Sequence, residues 1–84
     1  MYHVTIAKSA LRELLAVAEP YQSAIERKID ALASTPLPAS AKKLKGTAKH
    51  YRLRVGDYRV IYTFDHTTRL VDICTIGHRR EIYQ

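Results

Sequence analysis

The chain has 84 residues and a formal net charge of +6, with one cysteine and no tryptophan. This length allows one domain, residues 1–84, with room for a single core and a single site, so we expect no cofactor. One cysteine cannot form an internal disulfide, the N-terminus lacks the regions of a signal peptide, and no apolar run approaches the roughly 18 residues that span a membrane. We therefore expect a cytoplasmic protein.

The first half of the chain predicts one strand and two helices. Residues 2–6 alternate between apolar and polar side chains, which is typical of a strand with one buried face. A helical stripe follows, formed by Leu11, Leu14, Leu15 and Ala18. We expect Ser9 to cap this helix and Pro20 to end it. The second stripe consists of Tyr21, Ile25, Ile29 and Leu32. It ends at a small, proline-containing loop over residues 35–41.

From residue 50 onwards, apolar residues recur at every second position. This period predicts strands over residues 51–55, 58–64 and 70–76. Gly56 and Asp57 suit a two-residue hairpin turn, and residues 66–69 suit a second turn. The predicted fold is α+β with the order β-α-α-β-β-β, in which a two-helix hairpin packs on a small, mainly antiparallel sheet.

The positive charge is concentrated in one segment, residues 42–59. Residues 1–41 are neutral overall, whereas this segment has a single acidic residue, Asp57, and accounts for the entire net charge. Its cations are Lys42, Lys43, Lys45, Lys49, Arg52, Arg54 and Arg59. A local basic segment indicates a protein that binds a polyanion, although a solvated face that maintains solubility is the alternative.

The hairpin register places three arginines on one face of the sheet. If residues 56 and 57 form the turn, Arg54 lies opposite Arg59 and Arg52 lies opposite Ile61. Like charges in direct opposition destabilise a sheet unless water screens them or an anion lies between them. Because guanidinium groups bind phosphate in a bidentate manner, we interpret the three arginines as an anion site. The opposite face of the hairpin is apolar and predicts the core.

The chain then returns beside these arginines. The second hairpin predicts that Ile76 lies opposite Arg59, which would bring His78, Arg79 and Tyr83 close to the arginines. Such a group suits RNA cleavage by the 2′-hydroxyl, because that reaction needs a base, an acid and cations for the charged transition state, and needs no metal. His78 has the alternative role of shaping the turn after Gly77.

Two further residue types have structural interpretations. We expect Cys74 to be a buried structural thiol in the last strand. The histidines are scattered and show no metal-ligand spacing. We therefore predict no metal site.

Three motifs in this order resemble the RelE branch of the RelE/ParE toxin superfamily. They are residues 43–46 (Lys-Leu-Lys-Gly), residues 51–62 and residues 76–83 (Ile-Gly-His-Arg-Arg-Glu-Ile-Tyr). The resemblance covers essentially the whole chain. It implies the toxin of a type II toxin–antitoxin module, a metal-independent endoribonuclease that cuts mRNA in the ribosomal A site, inhibits translation and leaves a cyclic 2′,3′-phosphate.

The resemblance also implies roles for individual residues. The basic pair of the family corresponds to Arg52 and Arg54, its hairpin arginine to Arg59, its late arginine to Arg79 and its terminal tyrosine to Tyr83. The best-known members often have lysine in the basic pair. Arginine stays protonated, so the proton carriers are open here, with His78 and Tyr83 as candidates. We expect the RNA also to contact Lys43, Lys45, Lys49 and Arg80.

The partners implied by the resemblance are a cognate acidic antitoxin, mRNA on the ribosome, and operator DNA only through the antitoxin, with no membrane. Two other functions remain open. One is a gyrase inhibitor of the ParE branch, which does not cleave RNA. The other is a nucleic-acid-binding module without catalysis. The ParE branch generally lacks the terminal tyrosine, so Tyr83 favours the ribonuclease.

Overall fold

The computed structural model describes residues 1–44, 46 and 49–78. Its elements, in chain order, are β1 (His3–Ile6), α1 (Lys8–Leu15), α2 (Tyr21–Ala31), β2 (Lys42–Lys43), β3 (His50–Val55), β4 (Tyr58–Asp65) and β5 (Leu70–His78). The five strands form one sheet in the order β1-β5-β4-β3-β2. Strand β1 runs parallel to β5, and every other pair is antiparallel. The predicted α+β fold with a mainly antiparallel sheet is confirmed.

Strand β2 is an addition to the predicted order. It has only two residues, and it pairs with β3 so that Lys42 lies opposite Arg52 and Lys43 opposite Tyr51. The sequence did not indicate it, because two consecutive lysines show no apolar alternation.

Neither helix in the described part of the chain has the length and apolar character needed to cross a bilayer.

The core lies between the two helices and one face of the sheet, which we call the helix side. The helices contribute Ala10, Leu14, Val17, Ile25, Ile29 and Leu32, and the strands contribute Leu53, Val55, Val60, Tyr62, Val71, Ile73 and Ile76. In β3 and β4 these residues alternate with outward-facing ones, so the period of two predicted their positions correctly in those two strands. The tyrosines at positions 51 and 58 pack against the same cluster, as expected for core residues.

The first helix differs from its prediction. It begins at Lys8 after Ala7, and no side chain caps it, so the expected Ser9 cap is wrong. The chain passes almost directly from β1 into the helix. The one residue between them, Ala7, donates its N–H to the Ile73 carbonyl at 3.0 Å. The helix buries Ala10 and Leu14, whereas Leu11 and Leu15 are 44% and 67% exposed and do not face the core.

The register between β4 and β5 also differs. A bulge at Ile61 and Tyr62 leaves Cys74 without an opposing residue, and Arg59 therefore lies opposite Gly77 and not opposite Ile76. The extra residue shifts the alternation by one, which returns Ile76 to the core. The Glu13 carboxylate accepts a hydrogen bond from the Ile76 N–H at 3.0 Å and joins α1 to this part of β5.

The predicted turn between β3 and β4 is confirmed. Gly56 has a φ of +58°, whereas Asp57 does not have a positive φ. This combination fits a type II′ turn, which requires glycine at its first central position. The Tyr21 and Tyr58 rings pack at 5.5 Å, and a Cβ atom at Gly56 would lie 3.0 Å from the Tyr21 ring. Residue 56 is therefore restricted both by its φ angle and by space.

Candidate nucleic-acid interface

Four cationic side chains, one imidazole and one apolar side chain share the sheet surface opposite the helices, which we call the arginine face. Its members are Lys42, His50, Arg52, Arg54, Arg59 and the apolar Ile61. Arg54 lies directly opposite Arg59 and Arg52 lies opposite Ile61, so the predicted hairpin register is confirmed. Cross-strand neighbours in a sheet have Cβ atoms about 4.5–5.5 Å apart, which places these positive charges close together.

The arginine face is not uniformly open to solvent. Arg54 is exposed and Arg52 is half-buried, whereas Arg59 is only 4% exposed. The sequence indicated that Arg59 faces away from the core. It does so, but as a buried guanidinium group and not as a solvated one. The neighbouring Ile61 is 7% exposed, so apolar surface adjoins the charges and lowers the local dielectric constant.

The other half of this sheet surface is polar and partly acidic. Asp72 of β5 accepts a hydrogen bond from the Thr5 hydroxyl of β1, and Asp72 lies opposite Thr63. Asp65 accepts from the Thr67 backbone N–H at 2.8 Å, which lowers the pKa of its carboxyl group. The two carboxylates border the arginine face on the β5 side and at the β4 end. The basic residues are therefore confined to the half of the sheet formed by β2, β3 and β4.

The predicted position of His78 beside the arginines is wrong. His78 lies opposite Tyr58 at the end of β5, and the two rings make an edge-on contact with centroids 5.5 Å apart. Because the Tyr58 side chain packs on the core, His78 lies on the helix side of the sheet. It lines a pocket of about 340 Å³ with Glu13 of α1 and with Val17, which follows that helix. The bulge explains the difference, because it exchanges the faces on which residues 76, 77 and 78 lie.

The structure separates the other predicted site residues. Lys43 lies opposite Tyr51 on the helix side of the sheet edge. Lys49 lines a pocket of about 400 Å³ beyond the end of β3, next to Tyr51 and Phe64. Neither lysine belongs to the arginine face. Four further predictions, Arg79, Tyr83, Lys45 and Arg80, lie outside the described residues.

Two polar residues of the arginine face were not selected from the sequence as site residues. Lys42 lies beside Arg52 because β2 joins the sheet edge. His50 precedes Arg52 by two positions on β3 and therefore lies on the same face. A signal for His50 was present in the sequence, since extending the alternation of Arg54 and Arg52 by one step reaches it.

The environment of Tyr62 fits a structural role, whereas Cys74 is half-buried and not fully buried as expected. Burial, reinforced by Tyr51, raises the pKa of Tyr62 to about 12, and its hydroxyl donates to the Pro36 carbonyl at 2.8 Å. Partial burial raises the pKa of the Cys74 thiol above that of a free thiol, and the nearby Asp72 carboxylate raises it further. Such a thiol is a poor nucleophile. Within the described ranges, no three His, Cys, Asp or Glu side chains are grouped to hold a metal ion.

The chain is similar to known toxins along nearly its full length. Residues 4–83 match the model of the family described as ParE toxin of type II toxin–antitoxin system, parDE. The structure superposes on RelE in the RelE–RelB complex of Pyrococcus horikoshii with a TM-score of 0.82 and 30% identity, covering 93% of this chain and 94% of that one.

Two other solved complexes agree. The RelBE2 toxin–antitoxin complex of Mycobacterium tuberculosis gives a TM-score of 0.81 at 28% identity, with 93% of this chain and 98% of that chain covered. The RelB–RelE complex of Methanococcus jannaschii gives 0.76 at 28% identity, with 93% of each chain covered. The extent of these matches, together with the shared fold, shows that this chain belongs to the RelE/ParE superfamily and is the toxin of a type II toxin–antitoxin system.

Proposed function

We propose that the protein is a metal-independent endoribonuclease that cuts mRNA in the ribosomal A site and thereby inhibits translation. The observation that supports this most strongly is the clustering of Arg52, Arg54 and Arg59 on one face, with two of them directly opposite each other. This arrangement costs stability in a free sheet, and a bound phosphate would offset that cost. The similarity to RelE toxins supports the same activity.

The reaction requires few protein groups. The ribose 2′-oxygen attacks the adjacent phosphorus, the bond from phosphorus to the 5′-oxygen breaks, and the products are a cyclic 2′,3′-phosphate and a 5′-hydroxyl. Charge accumulates on the phosphoryl oxygens in the transition state. Arg54, exposed at the edge of the turn, and Arg52 would bind these oxygens, while the buried Arg59 would supply a fixed positive charge beside the apolar Ile61.

The antitoxin would act by covering the same surface. The similar toxins were solved bound to RelB proteins. We propose that the cognate antitoxin of this chain is acidic, covers the arginine face with a helix or an added strand, and connects the toxin to operator DNA. Co-expression of the two should restore growth. Tight binding without restored growth would contradict this mode of neutralisation.

The experiment that tests the ribonuclease is a map of nucleic-acid ends after brief expression in growing cells. We expect new RNA ends within translated coding regions, with 5′-hydroxyl groups on the downstream fragments and intact chromosomal DNA. The description of the matching family as ParE favours one alternative, a gyrase inhibitor. Accumulation of DNA breaks with intact transcripts would establish that alternative and overturn the ribonuclease.

A further inference from the structure

We propose that His50 is the general base of the arginine face, taking the proton from the attacking 2′-hydroxyl. The inference rests on the proposed ribonuclease function. Strand β3 places His50, Arg52 and Arg54 at successive alternate positions, so all three side chains leave the same side of the sheet. Two residues along a strand span about 6.6 Å. This distance fits a phosphate on Arg52 and the adjoining ribose at His50.

The surroundings of the imidazole leave one nitrogen for substrate. The Nδ1 atom of His50 is buried, and none of the residues described by the structure hydrogen-bonds to it. The imidazole is half-buried and Nε2 is not one of the buried atoms without a partner, so Nε2 is the nitrogen that we assign to the ribose. Across the strand, His50 lies opposite Thr63, whose side chain has no charge to compete with an incoming phosphate.

The charged groups on this surface favour the assignment. Lys42 of β2 and Arg52 of β3 lie on one side of the imidazole, whereas Asp65 of β4 and Asp72 of β5 lie on the other. Lysine and arginine retain their protons near neutral pH, so they bind the anion but do not remove a proton from it. A neutral imidazole is the side chain suited to accept a proton in that pH range.

The other described histidines lie elsewhere. His78 is on the helix side, and His66 is exposed in the turn between β4 and β5. His3 shares the outer surface but belongs to β1, and β5 and β4 separate it from β3. Adjacent strands are about 4.8 Å apart, so His3 is roughly 14 Å away across the sheet. Among these residues, His50 alone combines an imidazole with the arginine face.

The proposed step balances without a co-reactant. The 2′-O–H proton passes to Nε2 of His50, and the resulting oxyanion forms the new bond to phosphorus. The bond from phosphorus to the 5′-oxygen breaks, and that oxygen takes a proton from water or from a ribosomal group. The imidazolium returns its proton to solvent after the cyclic phosphate leaves. A positioned base of this kind accounts for about 10²–10⁴ in rate.

The test is single-turnover cleavage of mRNA on programmed ribosomes between about pH 5.5 and 8.5. We expect the wild-type rate to rise with pH and then level off. The H50Q variant should cleave about 10²-fold more slowly, lose this pH dependence and bind ribosomes with nearly unchanged affinity. The matched control is H66Q, which replaces an exposed histidine in a turn and should cleave as the wild type does.

A second variant separates catalysis from folding. In H50A, added imidazole should restore cleavage in proportion to its concentration, a result that a structural role would not produce. An H50Q rate within a few-fold of wild type with an unchanged pH profile would overturn the assignment while leaving the ribonuclease intact. Absence of cleavage by the wild-type protein would overturn both.

Discussion

The two faces of the sheet are built from alternate residues of the same strands, yet they follow different rules. On the helix side, Leu53, Val60 and Tyr62 are at most 1% exposed and pack against apolar neighbours. On the arginine face, Arg59 is nearly as buried, although Arg54 lies directly beside it. The first arrangement lowers the free energy of the fold, and the second costs free energy. The comparison supports the division that we propose, with stability on one face and activity on the other.

The largest expected effect on stability is at Leu53, and its neighbour Arg54, which points to the opposite face, is the control. L53A removes a fully buried side chain and should lower the free energy of unfolding by about 2–5 kcal/mol. R54A changes an exposed side chain and should alter it by about 0.5 kcal/mol or less. Urea unfolding of both variants checks this. Equal losses would show that the two faces are not separated in this way.

The pH dependence of stability tests the helix side next. The pKa of Tyr62 is about 12 in the folded protein, above the ordinary value of 10.0. Between these two values the unfolded chain loses the proton and the folded chain keeps it. Stability is therefore complete below pH 10 and falls towards pH 12, by up to about 1.4 kcal/mol for each pH unit.

The control for this effect is Y62F, which cannot ionise at that position. The remaining tyrosines are common to both proteins, so the difference between the two alkaline unfolding curves reports Tyr62 alone. The wild type should lose more stability than Y62F above pH 10. Parallel curves would mean that Tyr62 ionises in the fold as readily as it does in the unfolded chain.

A smaller effect on the free energy of unfolding is expected at Gly56, in the turn between β3 and β4. G56A places a Cβ atom 3.0 Å from the Tyr21 ring at a φ of +58°, and should cost about 1–2 kcal/mol. Gly46 also has a positive φ, but among the residues that the structure describes, none beyond its chain neighbours has an atom within 4 Å of the equivalent Cβ position. G46A should therefore show the backbone cost alone, about 1 kcal/mol. Thermal unfolding compares them, and a larger loss in G46A would contradict the packing of Tyr21 on the turn.

The period-two pattern was sufficient to predict β3, β4 and the hairpin register that groups the arginines. The same pattern predicted the wrong register of β5 against β4 beyond Cys74, because no feature of the sequence marks the extra residue of the bulge. The shift places His78 on the other side of the sheet. The helical period failed separately at Leu11 and Leu15, because the first helix packs on the core through Ala10 and Leu14 instead. Contacts between distant parts of the chain determine both features, and a local pattern does not contain them.

The central claim is that RNA cleavage depends on the arginine face, and two exposed arginines on opposite sides of the molecule test it most directly. Arg54 belongs to the arginine face, whereas Arg27 lies on α2. Single-turnover mRNA cleavage on programmed ribosomes should fall about 10²–10³-fold in R54A and stay within a few-fold of wild type in R27A. Equal rates in the two variants, or a greater loss in R27A, would contradict the account.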